Sequence, residues 1–193
     1  SPAHYAGDGP GEVVGFGLSN DEHAGTTEDW QQAFQIARRA GLPGVPHGGE
    51  LAGPEHVWRI LAALQPTRVG HGVRASEDPE LLDEIVSRQI ALEACPTSNV
   101  HLGVYEQLPD VPLRILLDAG VQVALGADDP MLFVSRLSDQ YRIARDVHGL
   151  TDAELAHLAR CSIRASFAPP GRRQAWLAEV DAWLANPPGQ IQS

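Results

Sequence analysis

Chemically reactive residues stand at the ends of short apolar runs in this chain, and the runs return at a nearly constant interval. The runs are Val13–Leu18, Gly44–His47, Thr67–His71, Ile90–Cys95 and Val121–Gly126. They end near residues 18, 47, 71, 95 and 127, so the spacing is 24 to 32 residues. That is about one strand–helix unit, which predicts strands running parallel to one another. Parallel sheets assemble their sites at the C-terminal ends of the strands. A chain of this pattern should therefore bring residues distant in sequence into one mouth.

The intervening segments carry helical signals. Glu28–Ala40 places Trp30, Ala33, Phe34 and Ala37 on one face, and Gly41 stops it. Further helices are expected over Pro54–Gln65, Ser76–Arg88, Pro112–Ala119 and Pro130–His148. Beyond residue 150 two helices follow with no strand between them. Thr151 and Glu154 form a capping box. The last helix, Arg172–Ala185, aligns Trp176, Val180 and Trp183, and Pro187-Pro188 ends it. Residues 187–193 are expected to fray. No linker divides the chain, so residues 1–193 read as one domain.

Charge narrows the range of partners. The formal net charge is −11, and every cation is arginine. Nucleic-acid polymers and anionic membrane surfaces are disfavoured partners. No apolar run reaches the roughly 18–20 residues of a membrane span, and no signal peptide is legible. With two cysteines, Cys95 and Cys161, a reducing cytoplasmic setting is expected.

Four strand ends hold the candidate chemistry: His47-Gly48-Gly49-Glu50, Gly70-His71-Gly72, Cys95-Pro96-Thr97-Ser98-Asn99 and Asp128-Asp129-Pro130. Imidazole and carboxylate together suit Zn²⁺. Each piece also has a plain structural reading. His47 could be a satisfied core histidine, Glu50 a loop carboxylate, and His71 a turn residue. Asp129-Pro130 could be an N-cap followed by a first-turn proline. Cys95 reads as a buried apolar residue, and Thr97, Ser98 and Asn99 as turn and cap residues. Asp128 is left unexplained, because a second carboxylate at a buried strand end is costly unless a cation meets it. Joint occurrence at successive strand ends favours the chemical reading.

These motifs, in this order, resemble the adenosine/adenine deaminase family, and the similarity extends through Val13–Glu22 and Ser162–Phe167. The resemblance implies a zinc-dependent (β/α)₈ barrel of TIM type that hydrolyses the 6-amino group of a purine. It implies that His47 and Asp128 are zinc ligands, and that Glu50 donates a proton to purine N1. His71 resembles the residue that orients and activates the attacking water. Asp129 resembles the partner of purine N7, and the segment carrying Ser19 and Asn20 resembles the substrate loop. Asn20 stands where the family usually has glycine, and Ala127 where it usually has Ser or Thr. Adenosine is the first substrate implied, with adenine or an aminofutalosine-type nucleoside as alternatives.

The family's remaining zinc ligands lie in a His-x-His motif. The eight histidines here, at 4, 23, 47, 56, 71, 101, 148 and 157, contain no such pair. Five strands are readable where a closed barrel needs eight. The expectation is a partial barrel, strands 4–8 with their helices, that binds zinc poorly and has little or no deaminase activity as an isolated polypeptide. A non-catalytic remnant, associating through an open barrel edge, is a competing reading. A metal-free hydrolase built on Glu50 and Asp128 would leave both histidines without roles.

Overall fold

The computed structural model describes residues 5–7, 12–19 and 21–186. Five strands form one sheet: β1 (Phe16–Leu18), β2 (Gly44–Gly48), β3 (Arg68–His71), β4 (Ala91–Ala94) and β5 (Gln122–Leu125). They lie side by side in sequence order, and every pairing is parallel. Among the described residues each crossover carries helix, because parallel neighbouring strands require a long connection. The helices are α1 (Gln31–Arg39), α2 (Pro54–Ala63), α3 (Pro79–Ser87), α4 (Pro96–His101), α5 (Leu113–Asp118), α6 (Leu137–Asp146), α7 (Asp152–Ala165) and α8 (Pro170–Ala185).

Alternate strand residues build the core. Val69, Leu92 and Val123 have no exposed surface. They join Val57, Ile60 and Leu61 of α2, Leu81 and Ile85 of α3, Leu113 and Leu116 of α5, and Leu158 of α7 in one cluster. The apolar positions of α2 recur at three- and four-residue spacing, and Pro54 opens the helix where its missing N–H costs nothing. Asp78 caps α3, accepting from the Glu80 and Leu81 amides at 3.0 and 3.2 Å. Thr151 and Glu154 close the predicted capping box on α7.

The intervening strand residues face the other way. Arg68 of β3 pairs with Glu93 of β4 at 2.6 Å. Its guanidinium also donates to the Ala165 carbonyl and lies 4.7 Å from the centroid of Phe167. Phe167 in turn packs against Gly15, just before β1. The segment after α7 is thereby fastened to β3 and to the foot of β1.

Several sequence expectations shift. Helix α6 begins at Leu137 rather than Pro130. The segment between turns instead: Asp129 Oδ1 accepts from the Met131 and Leu132 amides, and Val134 takes a positive φ of 48°. A β-branched residue there is incompatible with a continuing helix. The helix expected from Glu28 opens as a 3-10 turn over Thr27–Trp30. Phe34 and Ala37 are buried as read, whereas Trp30 is exposed. Val13 and Val14 lie outside β1 and are also exposed. The six-residue α4 replaces a simple turn. The Trp176–Val180–Trp183 stripe of α8 faces a groove shared with α6 and α7. No helix among the described residues is long and apolar enough to cross a membrane. Asn20 and residues 187–193 lie outside the described residues.

Candidate active site

The register fixes which strand ends meet. His47 is level with Gly70, and Gly48 with His71. Gly70 has no side chain to stand in the way, and any Cβ there would collide with the His47 imidazole. His47 therefore settles over β3 and meets His71 edge to face. A second close approach joins the two loops. A Cβ on Gly49 would lie 3.2 Å from the Cα of Gly72, and both glycines hold positive φ. His71 and Asp128 also take positive φ, 62° and 55°, uncommon for residues with side chains. Such strain of about 1–3 kcal/mol each concentrates at functional sites.

These turns bring Glu50, His71 and Asp128 together. One ligand-capable atom from each lies within 4.8 Å of the others. Glu50 and His71 are buried, and Asp128 is exposed at the mouth. Glu50 Oε1 accepts from Asn99 Nδ2 at 2.7 Å and lies 3.2 Å from His71 Nδ1. Burial pushes the Glu50 carboxyl up to about 7. The Asn99 hydrogen bond opposes that rise, and the nearby Asp128 charge adds to it. Burial, with the neighbouring His47, holds His71 below the ordinary imidazole range. Near neutral pH the pair thus combines a carboxyl able to give a proton with a neutral imidazole able to take one.

His47, His71, Glu93, Cys95 and Asp128 line a hollow of about 260 Å³ at this mouth. His47 is outside the tight three-residue cluster but shares this hollow with Asp128. Ser19 lies on the other side of His47, in a neighbouring hollow of about 280 Å³. Asp129 is exposed, and its Oδ1 serves the 129–132 turn. Cys95 is buried as expected, and burial pushes its thiol up to about 12. Asn99 is the group that sequence reasoning passed over. It is fully buried, and its amide holds Glu50, although asparagine after Pro-Thr-Ser reads equally well as a cap.

The donor set fits a divalent metal. It combines imidazole with carboxylate, the ligands zinc favours. Two buried atoms beside Glu50, His71 Nδ1 and Asn99 Oδ1, have no hydrogen-bond partner among the described residues.

Comparison with known proteins places this geometry. The chain is 60% identical over 172 residues to a putative adenosine/adenine deaminase of Streptomyces coelicolor, covering 89% of this chain and 50% of that protein. It superposes on the crystal structure of an adenine deaminase from Arthrobacter aurescens with a TM-score of 0.86 at 32% identity, covering 91% of this chain and 54% of the other. An amidohydrolase from Burkholderia ambifaria, solved with bound zinc, gives 0.81 at 26% identity, covering 90% and 50%. The chain spans about half the length of the curated relatives it matches. Its five parallel strands and their helices form part of a TIM-type (β/α)₈ barrel. Residues 8–183 match the sequence profile of adenosine deaminase. With the strand-end cluster, this match establishes that the chain belongs to the adenosine deaminase family.

Proposed function

We propose that the chain carries the proton-transfer half of a metal-dependent site that hydrolyses the 6-amino group of a purine, with adenine as the substrate. One observation carries this reading above the others: Glu50, His71 and Asp128 converge at three strand ends, with the Glu50 carboxyl pushed up to about 7 by burial. The name of the Arthrobacter relative favours adenine over adenosine, which the motifs alone put first.

His47 and Asp128 would hold the metal, zinc by the character of the donors. The metal would supply water whose pKa is lowered toward neutrality. Glu50 gives its proton to N1 of the purine, which makes C6 electrophilic and keeps charge off the ring. His71 takes the water proton as the C6–O bond forms, and holds the oxygen in place. Asn99 keeps the Glu50 carboxyl aimed at the ring. His71 passes the water proton to the amino nitrogen as the C6–N bond breaks, so ammonia leaves, and the C6 hydroxyl proton returns to Glu50 as the C6=O bond of the 6-oxopurine forms. Asp129, at N7, and the Ser19–Asn20 loop hold the purine edge.

Ammonia release from adenine and adenosine, measured over hours with added zinc and with a chelator control, tests the proposal. Turnover is expected to be slow, because the chain contains no His-x-His pair. It should favour adenine and be abolished in Glu50→Gln and Asp128→Asn. Equal ammonia release from either variant would sink the reading. So would zinc-independent turnover.

A further inference from the structure

We infer that Glu22 is a positioning residue for Glu50, gripping the backbone from which that carboxyl projects. The inference rests on the proton-donor reading of Glu50. Glu22 lies in the loop after β1, and its carboxylate accepts three successive amides of the loop after β2. Oε1 takes the N–H of Glu50 at 3.1 Å. Oε2 takes those of Leu51 at 3.0 Å and Ala52 at 2.7 Å. The contacts reach across 28 to 30 residues of sequence, so no local turn accounts for them.

The Glu22 side chain is 5% exposed, and His56 Nδ1 approaches it at 3.7 Å. Burying a carboxylate is costly unless donors surround it. Here three amides do so, with the His56 imidazole close by. Burial alone would raise the Glu22 pKa, but His56 and the Ala52 and Glu50 amides reverse that and hold it low. The same loop is held from the other side, where Arg74 Nη1 donates to the Leu51 carbonyl at 2.7 Å.

Glu50 is therefore fixed at both ends. Glu22 holds its peptide plane, and Asn99 holds its carboxyl. Glu22 is not in the hollow that contains His71 and Asp128, but in the neighbouring one with Ser19. It acts through Glu50 and does not meet the reacting atoms itself. It also ties the loop read as the purine-edge contact to the residue read as the acid, so substrate and proton donor share one frame. A misplacement of about 1 Å at a reacting group can cost about 10²-fold in rate.

The test uses the 193-residue chain labelled with ¹⁵N, and compares Glu22→Gln and the milder Glu22→Asp with the parent. Hydrogen exchange at the amides of 50, 51 and 52 should accelerate at least tenfold in Glu22→Gln and less in Glu22→Asp. Exchange at Val69 and Val123 in the sheet should stay unchanged. The Asn99 side-chain amide resonance, which reports the Glu50 carboxyl, should shift in both variants. A purely structural latch on the β1 loop would leave that resonance in place. Unchanged protection at 50–52, an unmoved Asn99 signal, or uniform loss of protection through the sheet would each overturn the inference. With adenine as substrate, Glu22→Gln should lower kcat by about 10²-fold at nearly constant KM. A parent chain with no purine turnover would count against the functional reading, while the exchange data would still decide the role of Glu22.

Discussion

The imidazoles of His47 and His71 meet edge to face, with ring centroids 5.0 Å apart and planes at 89°. The contact joins the ends of β2 and β3 and fixes both rings before any substrate arrives. It exists because Gly70, level with His47 in the sheet, leaves the space that His47 occupies.

Gly70→Ala should therefore remove His47 from its seat while the sheet survives. Overpacking of this kind costs about 1–3 kcal/mol. Zinc affinity measured by calorimetry should fall at least tenfold, and the far-ultraviolet circular dichroism should be unchanged. Parent-like zinc binding by the variant would show that His47 is not a ligand.

Glu50 carries a stability cost that depends on pH. Its carboxyl is raised from 4.5 to about 7 on folding, so the unfolded state releases its proton first as pH rises. Folding is unpenalised below pH 4.5, loses stability between 4.5 and 7, and carries the full penalty above 7. Glu50→Gln should thus match the metal-free parent at pH 4 and exceed it at pH 8, by a few kcal/mol at most. Urea denaturation at the two pH values checks this, and a constant difference would refute it.

Gln140 is wholly buried and ties the loop after Asp129 to α4. Its Nε2 donates to Thr97 Oγ1 at 2.8 Å and Ser135 Oγ at 2.7 Å, and its Oε1 accepts from the Thr97 amide at 3.2 Å. Gln140→Ala leaves the Thr97 amide without a partner and the Thr97 and Ser135 hydroxyls with only each other, and should cost about 2–3 kcal/mol. The lost stability should appear in thermal denaturation, with faster amide exchange in residues 131–136.

Glu154 shows the opposite pH dependence to Glu50. Its ion pair with Arg114, and its bonds to the Thr151 amide and hydroxyl, lower its pKa from 4.5 to about 2. This stabilisation is complete above pH 4.5 and lost as pH falls through 2. Glu154→Gln should be less stable than the parent at pH 7 and converge on it near pH 2. Acid titration followed by circular dichroism gives the comparison.

Five strands and the residues at their ends were legible because burial on a parallel sheet leaves a simple mark: an apolar run, then a polar group, at the spacing of one unit. Glu50, His71 and Asp128 came from that pattern alone. Helix α4 was not legible, since Thr97, Ser98 and Asn99 favour caps and turns in isolation. Tertiary contacts override that preference, with Asn99 spent on Glu50 and Thr97 on Gln140. The start of α6 was misplaced for a related reason. Asp129-Pro130 is a good helix opening, and only the 129–132 turn and the left-handed Val134 divert the chain. The reach of Glu22 across to residues 50–52 leaves no local trace at all.

Parallel pairing has one more consequence. His47 and His71 ride on rungs of the sheet, whereas Ser19, Asp129 and the turn through Val134 hang from loops beyond it. On the proposed function, reaction chemistry would therefore rest on the strand ends and substrate choice on the loops, and a loop can change length or sequence while the strand ends keep their positions. On that reading, the preference for one purine over another would be the easily altered trait of this architecture, and removal of the amino group its fixed one.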